Sequence, residues 1–234
     1  GSVVANEKVD LDIYKGEILA LLGENGSGKT TFIKLLSGIY DCDEGEILIN
    51  GEPVKDIAKL RNSISVIFQD YAKYRTYIKE NITVGDVNRT YTDDDIRDAA
   101  RQTDIDSYIE TLDDKYDTKL GCFSDSYLDL SGGQWQKLAL SRLLFKNDAK
   151  MMILDEPTAS LDPLAEADIY ANFFHLTKDK TALFISHRLG ITKVVDRILV
   201  FRDGTVAEQG THDELIAANG VYADMYKSQA QWYK

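Results

Sequence analysis

The part of this chain best suited to chemistry is a run of glycines that ends in a lysine and a threonine. Residues 23–30 spell Gly-Glu-Asn-Gly-Ser-Gly-Lys-Thr and fit the pattern G-x-x-x-x-G-K-[ST] without a mismatch. Glycines let backbone N–H groups converge on an anion at the start of a helix, where the helix dipole also favours negative charge. Lys29 would reach the β- and γ-phosphates of a nucleotide, and the Thr30 hydroxyl would ligate Mg²⁺.

The neighbouring elements are those that a phosphate cradle requires. The apolar run from Ile18 to Leu22 predicts a buried strand before the glycines. The run from Thr31 to Ser37 predicts a helix after them, with Gly38 as its C-terminal stop. A glycine-rich turn that merely precedes a helix is the alternative, and the strand–loop–helix context argues against it.

Two adjacent carboxylates follow a second apolar run. Residues 151–154 predict a strand that delivers Asp155 and Glu156 at its end, where an open α/β sheet places its ligand. Asp155 can bind the hydration shell of Mg²⁺, and Glu156 can polarise an attacking water. Pro157 is expected to bias Glu156 toward an extended backbone. A surface turn without catalytic function is the alternative interpretation.

Composition argues against several classes of protein. The net charge of −12, with no cluster of Lys or Arg, argues against a nucleic-acid-binding domain. No apolar run approaches the roughly 18 residues that a membrane-spanning helix needs. Cys42 and Cys122 fit no metal-binding spacing and are expected to be reduced thiols. Residues 1–2 resemble a cloning remnant, so the natural chain is expected to continue upstream.

The remaining pattern predicts alternating strands and helices, which indicates a mostly parallel α/β core. Strands are predicted at 47–49, 65–68, 151–154, 181–185, within 194–201 and at 205–207. Helices are predicted at 93–112, 131–146, 163–176, from 213 behind a Thr211 cap, and in the tail from 222. The ATP-binding core is expected to comprise residues 1–70 and 147–234, and residues 71–146 a helical subdomain inserted between them.

A third motif resembles one protein family. Residues 130–134, Leu-Ser-Gly-Gly-Gln, match the L-S-G-G-Q signature of ATP-binding cassette (ABC) ATPases. Gln69 resembles the Q-loop glutamine, residues 159–162 the D-loop, and residues 185–188 the H-loop with its His187. The elements follow the family's order across essentially the whole chain. The resemblance implies an α/β fold: a P-loop NTPase core with a mostly parallel sheet, a small antiparallel β portion and an inserted helical subdomain.

The resemblance also implies an ATPase that uses ATP and Mg²⁺. In the family, the glycine loop of one cassette and the signature segment of a second cassette close on one ATP, in a head-to-tail dimer. The catalytic residues implied are Glu156, His187 and Lys29. The nucleotide contacts implied are Gly23, Glu24, Asn25, Gly26, Ser27, Gly28, Lys29, Thr30, Thr31, Gln69, Ser131, Gly132, Gly133 and Gln134. The metal ligands implied are Thr30, Gln69 and Asp155.

Further segments resemble the exporters of the family. Residues 76–82, 196–198, 208–215 and 220–222 match stretches of peptide, lipid or drug exporters. This implies a motor domain at the cytoplasmic face of a membrane, with a transmembrane domain upstream on the natural chain and no nucleic-acid partner. Residues 120–123 and 130–136 are similar to exporters of lanthionine-type antimicrobial peptides. Trp135 departs from the Arg or Gln of many exporters, and residues 121–130 are longer than the usual exporter loop.

Other readings remain open at this stage. A soluble ABC ATPase of the DNA-repair or chromosome-organising type is the alternative, although those proteins split the cassette with a coiled coil that is not evident here. A non-catalytic cassette is disfavoured by the presence of Glu156 and His187. The aromatic residue on which the family stacks adenine would precede residue 1, and Tyr14 is not expected to replace it. Nucleotide is therefore expected to bind mainly through its phosphates, with poor discrimination between ATP and GTP.

Overall fold

The structure is a computed structural model that describes residues 6, 9–49, 51–121, 128–156, 174, 177, 180–187 and 189–230. These residues fall into two compact units. The first unit is drawn from residues 1–66, 150–156 and 177–234, and the second from residues 67–149 and 157–176. The predicted D-loop at 159–162 and nearly all of the predicted helix at 163–176 lie outside the described residues, as do Cys122 and Arg188.

Eight strands and eight helices are assigned in the described part of the chain. The strands are β1 Ile18–Gly23, β2 Leu48–Ile49, β3 Glu52–Pro53, β4 Ile64–Ile67, β5 Met151–Asp155, β6 Thr181–Ser186, β7 Arg197–Arg202 and β8 Thr205–Gly210. The helices are α1 Lys29–Leu36, α2 Ile57–Ser63, α3 Ile78–Thr83, α4 Asp93–Arg101, α5 Asp106–Ile109, α6 Gly132–Phe145, α7 His212–Ala218 and α8 Val221–Ala230. Short 3₁₀ turns occur at Val84–Asp86, Lys115–Asp117 and Leu189–Lys193.

A six-stranded sheet in the order β4-β5-β6-β1-β7-β8 organises the first unit. Strand β1 pairs in parallel with both β6 and β7, and β5 pairs in parallel with β6. Strands β7 and β8 pair antiparallel, and β2 and β3 form a separate antiparallel hairpin. This arrangement confirms the predicted α/β class with its mostly parallel sheet and small antiparallel portion.

The central strands are apolar along their whole length because both of their faces are covered. Residues 19–22 of β1 are fully buried, and so are Ala182, Leu183 and Phe184 of β6. Parallel strands of this kind read as continuous hydrophobic runs, whereas a half-exposed strand alternates. Helix α1 packs on this sheet through Phe32, whose ring centroid lies 5.4 Å from that of Phe201 in β7.

The second unit is helical and has its own core. Two segments that we predicted as one helix over 93–112 are separate helices, α4 and α5, so that prediction is wrong. Asp104 interrupts them with a φ of +56°, a left-handed conformation that Asp tolerates better than most residues. The buried side chains that pack together in this unit are Ile78, Ile82, Ile96, Ala99, Ala100, Ile105, Ile109, Leu120, Leu130, Trp135, Leu138 and Phe145.

Truncation of a residue in this core should destabilise the protein measurably. Leu138 is completely buried in α6, so Leu138→Ala should lower the free energy of unfolding by about 2–5 kcal/mol. Val87 in the same unit is 77% exposed, so Val87→Ala should change it by less than about 0.5 kcal/mol. Urea unfolding followed by circular dichroism checks both. Equal midpoints for the two variants would contradict this packing.

Candidate functional site

The glycine-rich loop connects the buried end of β1 to the first turn of α1. Its backbone turns through left-handed conformations at Gly26, with φ +84°, and at Gly28, with φ +99°. Gly28 is the residue immediately before α1, so the helix begins at Lys29, two residues earlier than we predicted. Left-handed residues next to a helix start turn successive N–H groups inward, which forms an anion-binding concavity.

Gly23 allows this loop to lie close to the neighbouring strand. A Cβ atom at Gly23 would lie 2.5 Å from the main-chain oxygen of Phe201 and 2.7 Å from Ser27 Oγ. The loop is further tied down because the Gly204 N–H donates to the Ser27 oxygen at 3.0 Å, and the Asn6 amide donates to the Gly28 oxygen at 3.1 Å. The shape of the loop is therefore fixed by contacts within the first unit.

Lys29 is buried under the loop, and the residue is only 5% exposed. Its ammonium group donates to the main-chain oxygens of Gly23 at 2.7 Å and Glu24 at 2.8 Å, and lies 3.4 Å from Ser27 Oγ. Burial lowers the pKa of Lys29, and the nearby carboxylates of Glu156 and Asp155 act in the opposite direction. The loop and the carboxylate pair, predicted separately from the sequence, therefore meet at this lysine.

Glu156 does not have the extended backbone that we expected from Pro157. Strand β5 ends at Asp155, and Glu156 has a φ of +47°, in the left-handed region. Its N–H donates to the main-chain oxygen of Ile185 in β6 at 3.0 Å, which holds the residue at the sheet edge. Non-glycine residues in this region cost of order 1–2 kcal/mol, and such strain is concentrated at functional sites.

His187 follows β6 and faces Glu156. Its Nδ1 lies 3.2 Å from Glu156 Oε1. The Glu156 side chain is 10% exposed, whereas the His187 side chain is 47% exposed. A shielded carboxylate therefore lies beside an imidazole that is open to solvent, and the lysine ammonium is on the same edge of the sheet.

The signature residues lie in the second unit, at the start of α6. Ser131 caps this helix: its hydroxyl accepts a hydrogen bond from the Gln134 N–H at 3.3 Å, and Gln134 Oε1 accepts from the Ser131 N–H at 2.9 Å. Ser131 and Gly132 are exposed. The hydroxyl of Ser131 acts only as an acceptor in this capping box, so its own proton can be donated to an anion.

Gln69 also belongs to the second unit, where it is exposed two residues beyond β4. The segment that follows it is fastened to α6 by Arg142, which we did not predict. The Arg142 guanidinium donates to the oxygens of Ala72 at 3.0 Å and Asn81 at 2.9 Å, and lies 4.6 Å from the Tyr74 ring centroid. Burial lowers the pKa of Arg142. The sequence feature that could have indicated this role is an arginine surrounded by the mostly apolar residues of α6.

Within the described residues, no group of three or more His, Cys, Asp or Glu side chains is placed to hold a metal ion. No helix among those residues is long and apolar enough to cross a membrane.

Tyr14, which we did not expect to contact nucleotide, lies with its ring 5.6 Å from the Arg197 guanidinium.

The chain matches known proteins over most of its length. The family profile described as ABC transporter matches residues 6–159. The subtilin transport ATP-binding protein SpaT of Bacillus subtilis is 42% identical over 94% of this chain and 36% of its own length. The ATP-dependent lipid A-core flippase of Hahella chejuensis is 39% identical over 96% of this chain and 38% of its own length.

The fold also matches a solved structure described as a bacterial Atm1-family ABC exporter with ATP bound. That match has a TM-score of 0.87 and 33% identity, and it covers 97% of this chain and 39% of the exporter chain. The chain therefore spans less than two fifths of the length of each of these proteins. The profile, the relatives and the fold together show that the chain belongs to the ABC transporter family.

Proposed function

We propose that the chain is the ATP-hydrolysing motor domain of an ABC exporter and that Lys29, Glu156 and His187 form its catalytic centre. The observation that carries this proposal is the placement of a shielded carboxylate 3.2 Å from an imidazole, on the edge of the sheet where a phosphate loop buries its lysine. The relatives named above are transport proteins, so they do not support a DNA-repair type ATPase.

The loop is suited to hold the phosphates of ATP. We assign the contacts to the loop residues predicted from the sequence, Gly23, Glu24, Asn25, Gly26, Ser27, Gly28, Lys29, Thr30 and Thr31. The ammonium of Lys29 now bonds to neutral carbonyl oxygens. Charged phosphate oxygens are stronger acceptors, because charge-assisted hydrogen bonds are about twice as strong as neutral ones. Bound ATP should therefore draw the ammonium toward the β- and γ-phosphates.

Glu156 is suited to act on the attacking water. In hydrolysis, the water oxygen bonds to the γ-phosphorus while the bond to the β–γ bridging oxygen breaks, and the water must lose a proton. The Glu156 carboxylate takes the role of the acceptor of that proton, or orients the water for attack. His187 lies 3.2 Å from Glu156 Oε1 and takes the role of orienting this carboxylate. Its imidazole also takes the role of contacting the γ-phosphate.

The oxygen ligands at this edge also fit Mg²⁺. Asp155 is buried at the end of β5 near Lys29, and Thr30 is exposed at the start of α1. Mg²⁺ is usually held by one or two carboxylates together with phosphate oxygens, so a larger cluster of acids is not required. Thr30 and Asp155 would hold the ion, which would neutralise charge on the phosphates. The family resemblance also implies a metal contact for Gln69, which lies in the second unit.

The signature segment completes the site from a second copy. Residues 131–134 present a capped helix start whose first N–H groups and serine proton can bind phosphate. Two cassettes facing head to tail would bury two ATP molecules between them. We assign the unit that contains the sheet to ATP binding and the helical unit to the signature.

The whole exporter extends beyond this chain. We propose that a transmembrane domain, upstream on the natural chain, places this motor at the cytoplasmic face of a membrane. The cargo is proposed to be a peptide, as in the exporters of lanthionine-type antimicrobial peptides that the signature region resembles. A nucleic-acid partner is not proposed, because the net charge of −12 opposes one.

Removal of the loop lysine should weaken nucleotide binding itself. Lys29→Met deletes a charged contact with the phosphates, so the Kd for MgATP should rise about 10- to 100-fold. Lys34→Met removes a lysine of α1 that lies over the Tyr40 ring, away from the loop, and should leave Kd unchanged. Calorimetric titration checks both variants. Equal affinities of Lys29→Met and the parent for MgATP would show that Lys29 does not contact the nucleotide.

Removal of the base should separate binding from turnover. Glu156→Gln keeps the shape of the side chain but cannot accept the proton, so kcat should fall about 100-fold or more while MgATP still binds. The variant should also accumulate as an ATP-bound dimer. Phosphate release and sedimentation measure the two effects. Hydrolysis at the parental rate would show that Glu156 has a different role.

The composite site should be restored by mixing two inactive variants. A Lys29→Met chain retains its signature serine, and a Ser131→Ala chain retains its loop. A mixed dimer therefore contains one intact site of two. Random pairing in an equimolar mixture makes about half of the dimers mixed, so the mixture should recover up to about a quarter of the parental rate. Each variant mixed with itself is the control. No recovery at concentrations where the chains associate would contradict the head-to-tail arrangement.

A further inference from the structure

The C-terminal helix α8 is firmly attached at its start. Glu208 of β8 accepts hydrogen bonds from the N–H groups of Val221 at 2.7 Å and Tyr222 at 3.0 Å. A carboxylate in this position satisfies first-turn donors and complements the positive end of the helix dipole. A Cβ atom at Gly220 would lie 1.9 Å from Glu208 Oε1, so a larger residue there would displace the Glu208 carboxylate.

The side chains of the first turns add to this attachment. Tyr222 and Ala223 are completely buried. The Tyr222 hydroxyl lies 2.6 Å from Nδ1 of His212 in α7, and the His212 ring lies 5.0 Å from that of Tyr226. The first turn of α8 is therefore anchored to β8 and α7. This anchoring fixes where the later residues of the helix lie.

One of those later residues contacts the backbone of the candidate catalytic histidine. Gln229 lies seven residues beyond Tyr222, about 10 Å along the helix axis. Its side-chain amide donates a hydrogen bond to the main-chain oxygen of His187 at 2.5 Å. The same His187 directs its imidazole to Glu156 at 3.2 Å. Because that side chain is 47% exposed, side-chain packing contributes less to its position than it would for a core residue.

We propose that Gln229 is a positioning residue for His187: the C-terminal helix holds the main chain of the histidine, and thereby the angle at which its imidazole meets Glu156. This inference rests on the proposed ATPase function. A change that moves the end of α8 would change the rate of hydrolysis without any change in the loop that binds the phosphates.

The test compares two variants of the same helix. Gln229→Glu keeps the length of the side chain but removes the amide donor, so kcat for ATP hydrolysis should fall about five- to tenfold with KM unchanged. Lys227 contacts Asn219 Oδ1 at 2.5 Å, so Lys227→Ala loosens α8 without touching His187 and should leave kcat unchanged. In a His187→Ala background, Gln229→Glu should have no further effect on kcat.

A second readout needs no nucleotide. Hydrogen–deuterium exchange in the segment containing His187 should be faster in Gln229→Glu than in the parent, and unchanged in Lys227→Ala. The inference is overturned if Gln229→Glu keeps the parental kcat while His187→Ala lowers it, or if the two helix variants behave alike. The inference is also overturned if Gln229→Glu lowers kcat by the same factor in the parent and in the His187→Ala background. If the parent releases no phosphate from MgATP, the proposed function fails and this inference fails with it.

Discussion

A buried ammonium group under a loop of glycines is the feature on which the rest of this structure depends. Lys29 is 5% exposed, and its charge is balanced by the carbonyls of Gly23 and Glu24 and by the carboxylates that follow β5. A charge cannot be taken out of water without such partners. The loop carbonyls and the carboxylates after β5 meet this requirement, which ties the glycine loop and the end of β5 to the same lysine.

The sheet order explains how distant parts of the sequence reach this group. Strands β5, β6, β1 and β7 are neighbours, and three of their pairings are parallel, so their carboxyl ends share one edge. Glu156 follows β5, His187 follows β6, and the glycine loop follows β1. Open α/β sheets bind ligands at this edge. Glu156 has a left-handed backbone at this edge, and its carboxylate lies 3.2 Å from the imidazole of His187.

What could be predicted from the sequence is what depends on local patterns. The loop, the buried strands, the start of a helix near Ser131 and the Thr211 cap are each specified within a few residues, and the structure has them. The break at Asp104 and the backbone of Glu156 were not foreseen, because a left-handed residue leaves no composition signal when it is not glycine. Arg142 and Gln229 act on residues 61 and 42 positions away, and such contacts exist only in the folded chain.

The proposed motor hydrolyses ATP at a site closed by two copies of the chain. The most direct measurement is the rate of phosphate release from MgATP per chain, recorded over a wide range of protein concentration. In the proposed dimer each site takes the loop of one copy and the signature of another, so the rate per chain should rise with concentration and level off as dimers form. A rate per chain that is the same at every concentration, or the absence of phosphate release, would contradict this account.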